Sequence, residues 1–227
     1  MITNLLRGTA AFCLALTSFT PLSPTAWATT GAAPVPAALL LEDAVGRLLV
    51  ADEDRTGYAS GSFEHWNTGL DAADGCDTRA EVLLAEAVEE PAVAAGCELT
   101  GGKWRSFYDN TEVTDHGKLD IAHTVPLAEA WDSGARGWTA ARREAYANDQ
   151  GAATSLGAVT ARSHRARADR DPAEWMPSPP ETHCRYIGEW TATKLRWGLA
   201  ADHTEVDALK VYAEACETTV VHYTPAA

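Results

Sequence analysis

Four cysteines, Cys76, Cys97, Cys184 and Cys216, constrain this chain more than any other feature, because of the compartment in which it is expected to fold. Its first residues read as an export signal. Arg7 supplies a positive start, Thr9 to Phe19 an apolar stretch, and Ala26-Trp27-Ala28 a small-x-small site, with cleavage expected after Ala28. That stretch falls short of the roughly 20 residues of a membrane span, and Pro21 and Pro24 interrupt it, so no membrane association is expected after cleavage. Cys13 lies inside the apolar stretch and leaves with it, and Phe12 before it argues against a lipidated signal. An even number of cysteines in an exported chain then reads as two disulfides. Three pairings are open. The sequence-local one, Cys76 with Cys97 and Cys184 with Cys216, would restrict the unfolded chain by roughly 3 kcal/mol per bridge. No Cys-x-x-Cys spacing suggests zinc instead.

Residues 29–38, rich in Ala, Pro and Thr and without charge, read as a linker, and 39–227 as one domain. Helical spacing is expected over Leu39 to Val50, Asp77 to Val88, Trp138 to Ala147, Arg185 to Leu199 and Glu205 to Cys216. Gly101 to Asp120 is short, mixed and turn-rich, the place for a small strand pair. Ile121 to Trp131 passes from an extended start into a helix. The expected class is α+β, mostly helix around a small hairpin.

The formal charge is −14 and becomes −15 once Arg7 leaves with the signal. Such a far field opposes indiscriminate polyanion binding. The charge is uneven, however. Between Arg136 and Arg170 lie seven arginines and three acids, a net +4, against −19 over the rest of the exported chain. An arginine run is usually a solvated helix face, but it also suits bidentate phosphate contacts.

The chemistry centres on Leu119-Asp120-Ile121-Ala122-His123-Thr124-Val125-Pro126-Leu127. An isolated histidine in such a place is more often a satisfied core residue than a catalyst. Seven ordered segments give it context: Gly57-Tyr58 with Phe63-x-His65-Trp66, then Asp74-Gly75-Cys76-Asp77-Thr78-Arg79-x-Glu81, then Gly102-Lys103-Trp104-x-Ser106-x-Tyr108-Asp109. They continue with Asp120-Ile121-x-His123-x-Val125-Pro126-Leu127-Ala128-Glu129-Ala130-Trp131, Tyr146-Ala147-Asn148-Asp149, Ser155-Leu156-x-Ala158-Val159-Thr160-Ala161, and Asp169-Arg170-Asp171-Pro172-Ala173-Glu174-Trp175. In these the chain resembles the secreted HNH-type endonucleases, a family related to the C-terminal nuclease part of modification-dependent restriction enzymes.

The resemblance implies a ββα-metal finger in a helical surround, gripping one divalent cation, Mg²⁺ first and Mn²⁺ or Zn²⁺ as alternatives. It implies phosphodiester hydrolysis in nucleic acid, DNA ahead of RNA, with His123 as general base. A neutral imidazole can take a proton from water, and a cation can neutralise phosphate oxygens and the leaving group. His164 stands at a metal-ligand position. The residue before the base, which in the family binds the metal, is here Ala122, and a methyl cannot coordinate. Asp120, two residues earlier on one strand, is the candidate replacement, acting through a bridging water. The expected consequence is attenuated activity. The rival expectation is a catalytically inactive extracellular binding protein on the same scaffold. Arg143, Arg162, Arg165 and Arg167 are the candidate phosphate contacts. Ser155 takes the place of the structural asparagine of the HNH name. His65 and Arg79 match family motifs and read equally as cleft residues or as parts of an ion pair or cap.

Overall fold

Short apolar runs punctuated by Gly, Pro and Asp leave room for strands of only a few residues, and no wide sheet forms among the described residues. The computed structural model describes residues 35–227. The expected signal, with Cys13, and residues 29–34 of the linker lie outside the described residues. Among the described residues, ten strands pair in twos. β1 (Ala37–Leu40) runs antiparallel to β10 (Val220–Tyr223), and β2 (Leu49–Val50) parallel to β9 (Ala200–Ala201). β3 (Ala92–Ala94) pairs with β4 (Glu98–Thr100), β5 (Trp104–Ser106) with β6 (Thr111–Val113), and β7 (Leu119–His123) with β8 (Leu156–Thr160), all antiparallel. Seven helices lie among them: α1 (Leu41–Val45), α2 (Thr78–Ala85), α3 (Leu127–Asp132), α4 (Ala140–Ala147), α5 (Ala161–Arg167), α6 (His183–Trp197) and α7 (His203–Glu214). The class is α+β, with more strand than a mostly helical reading expects.

The helices begin where short polar side chains can take their unpaired amides. Asp77 caps α2, Thr139 caps α4, Thr160 caps α5 and Asp202 caps α7. Gly198, at φ +66°, ends α6 in the left-handed conformation that glycine adopts without strain. The helix expected over Leu39 to Val50 shrinks to α1. Leu40 and Val50 instead give their backbones to β10 and β9, since pairing with distant strands satisfies more polar groups than one more helical turn. For the same reason Ala37 and Ala38, expected to belong to the linker, lie in β1.

Both disulfides take the sequence-local pairing. Cys76–Cys97 ties the start of α2 to the β3–β4 turn, and Cys184–Cys216 ties the start of α6 to the end of α7, with Cα separations of 5.0 and 5.5 Å. Two apolar clusters result. The larger packs Leu41, Val45, Ile187, Trp190 and Leu209 around α6, and the smaller packs Leu83, Leu99, Trp104, Ile121 and Leu156 around α2. The β7–β8 pair lies between them: Ala122 and Val159 join the larger cluster, Leu119, Ile121 and Ala158 the smaller. Burial on both sides explains its apolar sequence and holds its C-terminal residue, His123, rigidly.

One buried ionic cluster clamps the helices. The Lys194 ammonium, fully buried on α6, donates to Glu129 of α3 at 2.9 Å, to Glu205 of α7, to Ser133 and to the Ala200 carbonyl. Burial drives the Glu129 carboxyl upward, but Lys194 and Ser133 more than offset it and hold it ionised.

Candidate active site

His123 ends β7, and its ring is fixed from three sides. Nε2 lies 2.8 Å from the Ala147 carbonyl. Because a carbonyl can only accept, Nε2 carries the proton and Nδ1 keeps the free lone pair. Trp66 and Tyr146 stack on the imidazole, at 5.3 and 6.2 Å between centroids and within 16° of parallel. The residue is 7% exposed. Burial pulls its pKa down to about 3, aided by the nearby His65, Arg167 and His164, while the bond to Ala147 opposes the shift. The ring is therefore neutral at working pH, and its free Nδ1 has no protein partner among the described residues.

A cleft of about 320 Å³ opens at this ring, lined also by Asp120, His164, Arg79 and His65. α5 follows β8 without a loop, so the antiparallel strand pair and the helix form one continuous unit. It brings the Nδ1 of His164 within 3.0 Å of the Asp120 carboxylate, with both side chains partly exposed. A carboxylate accepts, so Nδ1 carries the proton and Nε2 presents its lone pair, the orientation that a carboxylate partner commonly imposes on a metal-binding imidazole. Burial lowers the His164 pKa despite Asp120, which keeps that lone pair available. Asp120 Oδ1 makes no hydrogen bond among the described residues. Asp120 therefore orients the ring from the side opposite Nε2 rather than sharing a cation with it, and a cation at Nε2 would take its remaining positions from water and phosphate.

Ala122 is 2% exposed within the larger apolar cluster and does not line the cleft. The groups of three acidic or imidazole side chains that do converge among the described residues lie elsewhere: Glu53 with Asp171 and Asp202, and Glu53 with Glu129 and Asp132. Arg55 and Lys194 offset part of that charge.

The arginine-rich stretch needs correction. Arg167 is 1% exposed, and its guanidinium donates to the carbonyls of His123 and Thr124 and to the Tyr108 hydroxyl at 2.6–2.9 Å. It fastens the strand end at the inner wall of the cleft, and its burial and its three donated bonds keep it from serving as an exposed phosphate contact. Arg143 donates to the carbonyls of Ser62 and Trp138 and stands over the Trp131 ring, away from the cleft. Arg136 pairs with Asp54, Arg142 donates to Trp197 and Ala227 carbonyls, and Arg170 to carbonyls of its own turn. Only Arg162 and Arg165, among the described residues of this stretch, have no protein partner. They are exposed on α5 and line a separate groove of about 570 Å³ shared with Lys118.

Two cleft residues carried only a weak signal in the sequence. Arg79 donates to the Leu119 carbonyl at 3.0 Å and to the His116 carbonyl at 3.4 Å, and it lines both this cleft and a neighbouring groove. His65 donates from Nδ1 to the Phe63 carbonyl at 2.7 Å, and Asn148 staples its segment by bonds to Glu64 and Asn67. Ser155 donates to the buried Asp149 and supports the site without lining it.

Among known proteins, a secreted protein of the fungus Arthroderma benhamiae, itself uncharacterized, is 32% identical over 183 residues, which cover 80% of this chain and 87% of its own length. No family model and no solved structure matches the chain.

Proposed function

From the premise that the chain belongs to the same family as this secreted fungal protein, and is itself a secreted, disulfide-bonded protein, we propose that it is an HNH-type, metal-dependent endonuclease. The observation that carries the reading is the tautomer of His123, with Nε2 spent on the Ala147 carbonyl and Nδ1 free in a cleft shared with the His164–Asp120 pair. A neutral imidazole so fixed is a general base for water attacking a phosphodiester. Arg79 in the same cleft offsets the phosphate charge. His164 through Nε2 would hold the cation, Mg²⁺ first, with Mn²⁺ and Zn²⁺ as alternatives, and Asp120, bonded to Nδ1 on the opposite side of the ring, would orient it. When bound, the cation supplies charge neutralisation at the phosphate and at the leaving oxygen. With no ligand at position 122, a single protein donor gives weak metal binding and attenuated turnover. DNA is the expected polymer, and Arg162 and Arg165 reach phosphates beyond the cleft. No helix among the described residues is long and apolar enough to cross a membrane.

The test is the nicking of plasmid DNA by the purified exported chain in Mg²⁺, Mn²⁺ or Zn²⁺, beside His123→Ala and His164→Ala. Nicking should fall by about 10²-fold or more in His123→Ala, and His164→Ala should need more metal to reach the same rate. Wild type no faster than His123→Ala in every metal would refute an active enzyme. Retained DNA association in that case would favour the non-catalytic binding protein.

A further inference from the structure

The cleft holds three imidazoles, and the metal-dependent reading uses two, His123 and His164. His65 reaches it from outside the β7–β8–α5 unit, yet it is as firmly placed as His123. Its Nδ1 is committed to the Phe63 carbonyl, Asn148 pins the residues on either side, and the neighbouring Trp66 stacks on His123 itself. With Nδ1 committed, the ring nitrogen that His65 leaves free is Nε2, as Nδ1 is for His123. The two rings lie 5.6 Å apart between centroids and 81° from parallel, and both line the cleft with Arg79. An in-line displacement sets the attacking and leaving oxygens on opposite sides of one phosphorus, each about 3 Å from its proton-transfer partner. Two imidazoles lining one cleft at this centroid separation are near enough for a single phosphate group to meet a nitrogen of each.

We propose a second activity for this cleft: cleavage of RNA by the His123–His65 pair, with the ribose 2′-hydroxyl as nucleophile and without a metal ion. His123 Nδ1 takes the 2′-hydroxyl proton as the 2′ oxygen bonds to phosphorus. The bond from phosphorus to O5′ breaks, and O5′ leaves with the electron pair and receives the proton of His65 Nε2. The products are a 2′,3′-cyclic phosphate and a 5′-hydroxyl, so no water is consumed, and the two histidines then exchange protons with solvent. Arg79 neutralises the non-bridging oxygens as charge builds there. DNA, lacking the 2′-hydroxyl, cannot follow this route. The inference shares the cleft with the proposed endonuclease and does not depend on its cation.

The experiment incubates the purified exported chain with an RNA oligonucleotide and its all-deoxy counterpart in excess EDTA and reads product ends by mass spectrometry. His65→Ala, His65→Gln and His123→Ala are prepared in parallel, with thermal unfolding run on each. The expected result is RNA cut to 2′,3′-cyclic phosphate ends, DNA left intact, and rates lower by about 100-fold or more in each variant, including whichever His65 variant unfolds at the wild-type midpoint. RNA left intact in EDTA overturns the proposal, as do cleavage undiminished in both His65 variants or products with 3′-hydroxyl and 5′-phosphate ends. Plasmid nicking in Mg²⁺ on the same samples scores the metal-dependent reading separately, so either activity can fail alone.

Discussion

Single residues here work through which atom they leave free. His123 and His65 each give one ring nitrogen to a backbone carbonyl, and the opposite nitrogen in each becomes the reactive one. Arg167 serves the same end at one remove. Two of its three donated bonds fasten the His123 and Thr124 carbonyls and the third reaches the Tyr108 hydroxyl, while its own Nε lies buried without an acceptor. Such an arginine costs desolvation and is kept in place by the acceptors around it. Replacing it by methionine fills the space and strands those acceptors. Arg167→Met should therefore lose about 2–3 kcal/mol in urea unfolding, and whatever activity is measured should fall through a displaced His123. An unchanged midpoint with unchanged activity would show that the strand end holds itself.

At the scale of elements, the β7–β8 pair decides what position 122 can do. A strand exposed on one face would let an aspartate at 122 point to solvent or to a cation. This strand has apolar clusters on both sides, and Ala122 packs in the larger one. A carboxylate there would be buried without a partner. Ala122→Asp is expected to destabilise the protein by at least about 2 kcal/mol, with no gain in metal-dependent nicking. Chemical denaturation and plasmid nicking on one preparation check this, and a stable variant that cuts faster would mean that the side chain reaches the cleft. α5 shows the same dependence on place, since His164 lines the cleft while Arg162 and Arg165 line the neighbouring groove.

Across the whole molecule, an acid excess is folded around a small number of buried cations. Glu53 stands where Glu129, Asp132 and Asp202 converge, and partial burial together with their repulsion raises its pKa to about 8. A carboxyl whose folded pKa is raised binds its proton more tightly in the folded chain. Its contribution to stability is complete below about pH 4.5 and is lost as pH rises through about 8. Wild type should therefore lose thermal stability relative to Glu53→Gln over that interval, with the two curves converging at its acidic end. A constant offset from pH 4.5 to 8 would place the titration on another group.

Much of this was legible in residues. Even cysteines, capping side chains, the β5–β6 pair and the position of His123 follow from local chemistry: a thiol count, a hydroxyl before a helix, a histidine at the end of an apolar strand. The sequence also carried the net +4 of residues 136–170, but could not say which arginines meet solvent. Only the tertiary structure decided that, because a guanidinium looks the same in sequence whether it faces phosphate or closes three bonds inside the fold. It likewise placed Ala122 in the core and set His65, 58 residues earlier in the chain, across the cleft from His123. Long-range packing determines which polar atoms remain unpaired, and unpaired atoms are what a site is made from.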